Sequence, residues 1–67
     1  MKLVINGENK TFDRDSMTLG DLLHEISMTE IPVVIEHNRE PLLPAQHAAT
    51  LVRDGDQLEI IRVVAGG

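Results

Sequence analysis

The sequence predicts an α+β fold in which a mixed sheet of four to five strands is covered on one face by one main helix. Three observations support this: an alternating segment near the N-terminus, one apolar stripe at helical spacing after it, and strand-like segments in most of the remainder. A chain of 67 residues has room for one domain, residues 1–67. Because 42% of the residues are hydrophobic, an aliphatic core is feasible.

The N-terminal segment predicts a β-hairpin. Residues 2–6 place Leu3 and Ile5 on one side and Lys2, Val4 and Asn6 on the other, which is the period of a half-buried strand. Asn6-Gly7 favours a tight turn because both residues tolerate positive φ. We expect a return strand over residues 9–13 that places Phe12 in the core, followed by a polar loop over residues 13–16.

Thr18 opens the predicted helix. Its spacing to Asp21 is that of a capping box, with Asp in place of the usual Glu or Gln. The residues that follow at i, i+3, i+4 and i+7 form one apolar stripe: Leu19, Leu22, Leu23 and Ile26. Gly20 weakens the first turn by about 1 kcal/mol relative to Ala. Pro32 and the polar residues before it predict that the helix ends near residue 28.

Turn residues divide the remainder of the chain into short segments. In order, we predict a strand over Val33–His37, a turn over Asn38–Pro41, a short extended segment at Leu42-Leu43, a single helical turn within Pro44–Ala49, a turn at Asp54-Gly55-Asp56 and a last strand over Gln57–Val64. With the last strand beside the first, this is the order of elements of the β-grasp, or ubiquitin-like, fold.

Composition excludes several classes of function. Six basic against eleven acidic residues give a net charge of −5, and Phe12 is the only aromatic residue, so the chain lacks the means to bind nucleic acid. No apolar run is long enough to predict a membrane span. The absence of Cys excludes disulfides and thiolate chemistry and favours the cytoplasm. An acidic surface suits a partner whose docking face is basic.

Candidate catalytic and metal-binding residues are few. His24, His37 and His47 lie 13 and 10 residues apart, without the spacing of metal ligands, so we interpret them as solvated and predict no metal site. Asp54 and Asp56 flank a glycine, a pattern that a turn explains without catalysis. No nucleophile motif is present. We therefore predict no catalytic residues and a protein that is not an enzyme.

The tail, residues 65–67, carries the strongest functional signal. Gly66 and Gly67 lack Cβ, so we expect a flexible tail that extends through a cleft too narrow for larger side chains. The carboxylate of Gly67 becomes reactive once it is converted to a better leaving group, for example by adenylation. It can then take up sulfur as a thiocarboxylate or form an amide or thioester. A tail without function is the alternative.

Five segments together resemble the ThiS/MoaD family of sulfur carriers, with most similarity to its thiamine-biosynthesis (ThiS) branch: Asn6-Gly7, 18–23, Glu36-His37-Asn38, Asp54-Gly55-Asp56 and 64–67. The chain departs from the family at Leu43-Pro44-Ala45 and His47, where ThiS proteins commonly have a Val-Pro-Arg-like stretch followed by an aromatic residue. Residues 61–64 lack the prolines frequent in molybdopterin-synthase subunits, which favours thiamine over molybdopterin.

The resemblance implies a carrier that binds no cofactor itself and is modified at Gly67. The preceding tail residues, Gly66 and Ala65, are small. A ThiF-like enzyme would adenylate the terminal carboxylate with ATP and Mg²⁺, and a relay from a cysteine desulfurase would supply the sulfur. Thiazole synthase (ThiG) would receive it for the thiazole of thiamine. Carriers for molybdopterin, tRNA thiolation or cysteine synthesis share this terminus. A ubiquitin-like protein modifier and a pure interaction module also stay open.

Strand alternation predicts a surface for the partner enzymes. If Leu58 and Ile60 face the helix, then the residues between and beyond them face outward. The predicted partner-binding residues on this outer face are Val4, Val34, Glu59, Ile61 and Val63. An exposed aliphatic patch of this kind has little use in a lone monomer.

Overall fold

The structure, a computed structural model, describes residues 1–63, and the predicted flexible tail lies outside this range. Within it the elements are, in chain order, β1 (Lys2–Ile5), β2 (Glu8–Thr11), β3 (Ser16–Thr18), α1 (Leu19–Glu25), β4 (Val33–His37), β5 (Glu40–Leu42), a 3₁₀ turn (Pro44–Gln46), β6 (Leu51–Arg53) and β7 (Gln57–Arg62). None of the helices in the described range is long and apolar enough to span a membrane.

Strand β7 lies at the centre of a five-stranded mixed sheet with the order β2-β1-β7-β4-β5. It pairs in parallel with β1 and antiparallel with β4, and the two outer pairs are antiparallel hairpins. Helix α1 covers one face of this sheet, and together they enclose the aliphatic core: Leu3, Ile5, Met17, Leu19, Leu22, Leu23, Ile35, Val52, Leu58 and Ile60. The predicted mixed sheet, with the last strand beside the first, is confirmed.

The N-terminal hairpin forms as predicted, with one difference at its end. Asn6 and Gly7 have φ of 52° and 82°, the positive values that a tight hairpin turn requires. The return strand ends at Thr11, and Phe12 is only partly buried against the core. Phe12 follows β2, which is an edge strand, so it packs at the margin of the core and not within it as predicted.

Helix α1 begins where its cap predicts. The Oγ1 atom of Thr18 accepts a hydrogen bond from the Asp21 N–H at 3.1 Å, while Thr18 itself has the extended backbone of an N-cap. Leu19, Leu22 and Leu23 of the predicted stripe are buried. The predicted apolar face of the helix is therefore confirmed.

The helix ends at Glu25, before the predicted residue 28. Ser27 adopts the left-handed conformation with φ of 61°. The Ser27 N–H donates to the His24 carbonyl at 3.1 Å, and the Met28 N–H donates to the Leu23 carbonyl at 2.8 Å. This pair of bonds closes the helix as a Schellman motif, with Ser at the position that Gly usually occupies.

A second, two-stranded sheet was not predicted. Strands β3 and β6 pair antiparallel, with Met17 opposite Val52, and both side chains are buried. Residue 16, which we expected in a polar loop, belongs to β3. The Leu19 N–H then donates to the Thr50 carbonyl at 2.7 Å, so this pairing also fixes the start of α1.

The connection after β4 is shorter than predicted. The turn consists of Asn38 and Arg39, which both have positive φ, and Glu40 and Pro41 already belong to strand β5. Proline is tolerated there because β5 is an edge strand. The predicted helical turn after Leu43 is confirmed as a 3₁₀ turn with Pro44 at its first position.

The structure explains why position 20 is a glycine, although glycine has a low helix propensity. A Cβ atom at this position would lie 3.1 Å from the Ala48 carbonyl oxygen and 3.2 Å from the Ala48 Cα. Both distances are shorter than ordinary van der Waals contact, so a side chain would push the 47–49 segment away from the first turn of α1. Glycine therefore permits a close approach of two backbones.

We predict that Gly20→Ala lowers the free energy of unfolding by about 1–2 kcal/mol, because the overpacking against Ala48 outweighs the gain in helix propensity. Urea denaturation measures this value. His24→Ala, at an exposed position of the same helix outside its N-cap, is the matched control and should not lower stability by more than about 0.5 kcal/mol. Stabilisation of Gly20→Ala would contradict the close approach.

Candidate functional site

The outer face of the sheet presents an apolar patch beside the end of β7. Leu58 and Ile60 are 1% and 3% exposed, whereas Ile61 and Val63 are 56% and 49% exposed, which confirms the predicted alternation. Val34, which is 51% exposed, lies directly opposite Ile61 on β4. We call Val34, Ile61 and Val63 the outer patch.

The outer patch extends to the last described residue. The Val63 N–H donates to the Pro32 carbonyl at 2.9 Å, so pairing between the two chain segments continues one residue beyond β7. Gly66 and Gly67, with Ala65, follow within four positions along the sequence but lie outside the described residues.

Val4 belongs to the same face but not to the outer patch. It lies opposite Gln57 at the start of β7 and is half-buried. Gln57 and Ile61 are four residues apart, which is about 13 Å along a strand. Glu59, which is exposed, lies between them. The structure therefore brings Val34, Ile61 and Val63 together, with Glu59 at their border, and leaves Val4 apart.

Glu59 on β7 is paired with Glu36 on the neighbouring strand β4, a residue that was not among those predicted for this surface. Both side chains are exposed, and with Arg39 and Gln57 they line a recess of about 250 Å³. The signal that could have identified Glu36 is its spacing from Val34, since residues i and i+2 of a strand share one face.

A second, larger recess of about 400 Å³ lies at the C-terminal end of α1, and its lining residues are His24, Ser27, Thr29, Glu30 and Ile31. It is an open groove formed by the loop between α1 and β4. Its titratable groups are one histidine and one carboxylate, without a cysteine or a second histidine beside them.

The Asp54-Gly55-Asp56 turn is held by its own carboxylates. Asp54 Oδ1 accepts from the Lys2 N–H at 2.6 Å. Asp56 Oδ2 accepts from the Arg53 N–H at 2.9 Å and lies 2.8 Å from the His37 ring nitrogen Nε2. The Asn38 amide adds a bond to Asp56 Oδ1 at 3.2 Å. The structural role predicted for both aspartates is confirmed.

Asp56 joins the β4–β5 turn to the β6–β7 turn, and its environment alters its acidity. Burial disfavours the charged carboxylate. The hydrogen bonds from His37, the Arg53 N–H and Asn38, with the charge of His37, outweigh this effect and lower the pKa of Asp56 below its ordinary value of 3.8.

The interpretation of three solvated histidines was wrong for two of them. His24 is exposed, but His37 is partly buried in its contact with Asp56. The Nε2 atom of His47 is buried and has no hydrogen-bond partner among residues 1–63. Sequence spacing cannot reveal the contact of His37, because its partner Asp56 lies 19 positions further along the chain. Within residues 1–63, no group of three or more His, Asp or Glu side chains could hold a metal ion.

Known proteins resemble this chain over its whole length. The model of the ThiS family matches residues 3–67. A thiazole synthase from Paramagnetospirillum magneticum is 43% identical over 67 residues, which is all of this chain but only 20% of that protein. The sulfur carrier protein ThiS from Bacillus subtilis is 29% identical over 65 residues, and the match covers 97% of this chain and 98% of that protein.

Solved structures show the same architecture. The crystal structure of the thiamine biosynthesis protein ThiS from Geobacter metallireducens matches with a TM-score of 0.84 at 34% identity and covers 100% of both chains. An NMR structure of a thiamine biosynthesis protein from the same organism matches with a TM-score of 0.80 at 33% identity, over 100% of this chain and 88% of that one. The predicted β-grasp fold is confirmed by these neighbours.

The lowered pKa of Asp56 predicts an acid dependence of stability. The unfolded chain binds a proton at this carboxyl more readily than the folded chain, so the stabilisation is complete above pH 3.8 and is lost as the pH falls through the folded pKa. The difference in unfolding free energy between wild type and Asp56→Asn should therefore shrink below that pH. Urea titrations at several pH values measure it. A constant difference across this pH range would contradict the prediction.

Proposed function

Because the chain belongs to the ThiS family, we propose that it is a sulfur carrier that donates sulfur for thiazole formation in thiamine biosynthesis. The observation that carries this proposal is the extent of the family match, which runs from residue 3 to Gly67 and so includes the terminal Gly-Gly. The near-complete mutual coverage with the Bacillus subtilis sulfur carrier supports it. The names of the relatives favour thiamine over molybdopterin or tRNA thiolation.

The proposed reaction takes place at the carboxylate of Gly67. One carboxylate oxygen attacks the α-phosphate of ATP, pyrophosphate leaves, and an acyl adenylate forms. The terminal sulfur of a persulfide, supplied by a cysteine desulfurase relay, then attacks the acyl carbon and displaces AMP. A thiol reduces the resulting acyl disulfide and releases the thiocarboxylate, which donates its sulfur to the thiazole. ATP and Mg²⁺ are bound by the activating enzyme and not by the carrier.

The carrier is a substrate of other enzymes in this proposal and not a catalyst. The carboxylates of Asp54 and Asp56 already stabilise turns of the fold. The scaffold then has two tasks, which are to present the tail and to dock with the enzymes that act on it. Since these enzymes use ATP and cysteine-derived sulfur, we expect the protein to work in the cytoplasm.

The outer face is the docking surface in this proposal. Val34, Ile61 and Val63 are each about half exposed, and Val63 lies four positions before Gly67. A partner that binds the patch is therefore close to the tail along the chain. The sequence also placed Val4 and Glu59 on this surface, and Glu59 borders the patch whereas Val4 lies at the other end of β7.

Two partners are proposed for this surface: a ThiF-like adenylating enzyme and thiazole synthase. The second is supported by the Paramagnetospirillum magneticum protein named thiazole synthase, one fifth of which resembles this whole chain. In that protein, a segment that resembles the carrier is part of the same polypeptide as the synthase. This is what we expect if the carrier delivers sulfur directly to the synthase.

We predict that deletion of Gly67, or addition of one residue after it, abolishes adenylation, because the reacting carboxylate is then displaced from the enzyme's active centre. ATP–pyrophosphate exchange with the purified ThiF-like enzyme of the same organism measures the reaction, and circular dichroism verifies that the variants remain folded. Insertion of one glycine after Asp13, in the exposed β2–β3 loop, is the length-matched control and should retain exchange. Undiminished exchange by the deletion variant would contradict the proposal.

A further inference from the structure

Glu36 and Glu59 form a cross-strand pair of like charges in the middle of the outer face. The antiparallel register of β4 and β7 places them directly opposite each other, next to the Val34–Ile61 pair. Facing side chains in such a pair have Cβ atoms about 4.5–5.5 Å apart, and like charges at that separation destabilise a sheet. The fold therefore gains nothing from this pair.

No cation of the described chain neutralises the two carboxylates. Among residues 1–63, ion pairs within 4.0 Å involve Glu8, Glu25 and Asp56, and neither Glu36 nor Glu59 takes part in one. Arg39 lines the same recess, but its guanidinium does not come within that distance of either carboxylate. The recess thus has two acidic groups and one basic group, on a chain whose net charge is −5.

This arrangement has the form of a binding site for a cation presented by a protein. An arginine guanidinium is planar, has five N–H donors and can donate to two carboxylates at once. The recess of about 250 Å³ between Glu36 and Glu59 is open to solvent on the outer face. An apolar surface that packs on the adjacent outer patch would shield the ion pair from water and so strengthen it.

Resting on the proposed function, we propose that Glu36 and Glu59 together bind one arginine of the adenylating enzyme while its apolar surface covers Val34, Ile61 and Val63. The arginine cancels the repulsion that the free carrier retains. The pair is then a specificity device: it is unfavourable in the free chain and favourable in the complex with a partner of complementary charge.

The experiment measures adenylation of the full chain by the purified ThiF-like enzyme at low salt. Glu36→Gln combined with Glu59→Gln keeps the shape of the recess and removes its charge. Asp13→Asn combined with Asp15→Asn, at exposed positions of the β2–β3 loop, removes the same net charge elsewhere. Ile61→Ser reports on the apolar patch independently of charge.

The glutamine double variant should raise the KM for the carrier about tenfold or more and leave kcat nearly unchanged, because it weakens docking and not chemistry. The wild-type KM should also rise when salt is increased to about 0.5 M, whereas that of the double variant should change little. The equilibrium constant for unfolding of the double variant should be equal to the wild-type value or up to about threefold smaller, because the repulsion between Glu36 and Glu59 is removed. The asparagine control should retain the wild-type KM.

A double variant with the wild-type KM, or one matched by the asparagine control, would overturn the inference while leaving the proposed function intact. Failure of the wild-type chain to be adenylated at all would overturn the proposed function and this inference with it. Among alanine variants of the enzyme's surface arginines, one should raise the KM for wild type but not for the double variant. Additive effects for every arginine would overturn the assignment of the cation.

Discussion

The central position of β7 is the constraint on which the structure depends. Its backbone is hydrogen-bonded to β1 on one side and to β4 on the other. Where β1 turns away, the Asn6 side chain continues the pairing: it donates to the Ile60 carbonyl at 3.0 Å and accepts from the Ile60 N–H at 2.8 Å. One residue therefore supplies both the positive φ of the hairpin turn and the last contact between the N-terminal hairpin and the central strand.

The two faces of β7 have different roles: one packs in the core, and the other forms part of the proposed docking surface. Leu58 and Ile60 point toward α1 and complete the core, so their replacement by smaller residues would destabilise the protein. Glu59 and Ile61 point outward, where the fold does not require their identity, and their partners across β4 are Glu36 and Val34. Because the period of a strand is two, one strand can support the core and a docking surface without conflict. The same strand leads directly to the terminal residues.

The parts that could be predicted from sequence are those with a local physical signal. Thr18 indicated the helix start and Asn6-Gly7 the hairpin turn, because each residue type fits the backbone conformation required there. Strands β3 and β6 have three residues each, too few for a periodic pattern, and their pairing joins residues more than 30 positions apart. Ser27 ended the helix without the glycine that usually indicates such an end.

Some residues of the outer face could be predicted from the local strand pattern, whereas others depend on the register between distant strands. Alternation alone identified Ile61 and Val63 as outward-facing, and sequence predicted Glu59 beside them. Its pairing with Glu36 follows from the register of two strands that lie far apart in the chain, so it could not be predicted.

The most direct test of the proposed sulfur carrier is the intact mass of the chain isolated from its own cells. We predict exchange of one oxygen for sulfur, located by fragmentation at Gly67. A chain that carries no sulfur while its thiazole synthase is active, or sulfur at another residue, would contradict it.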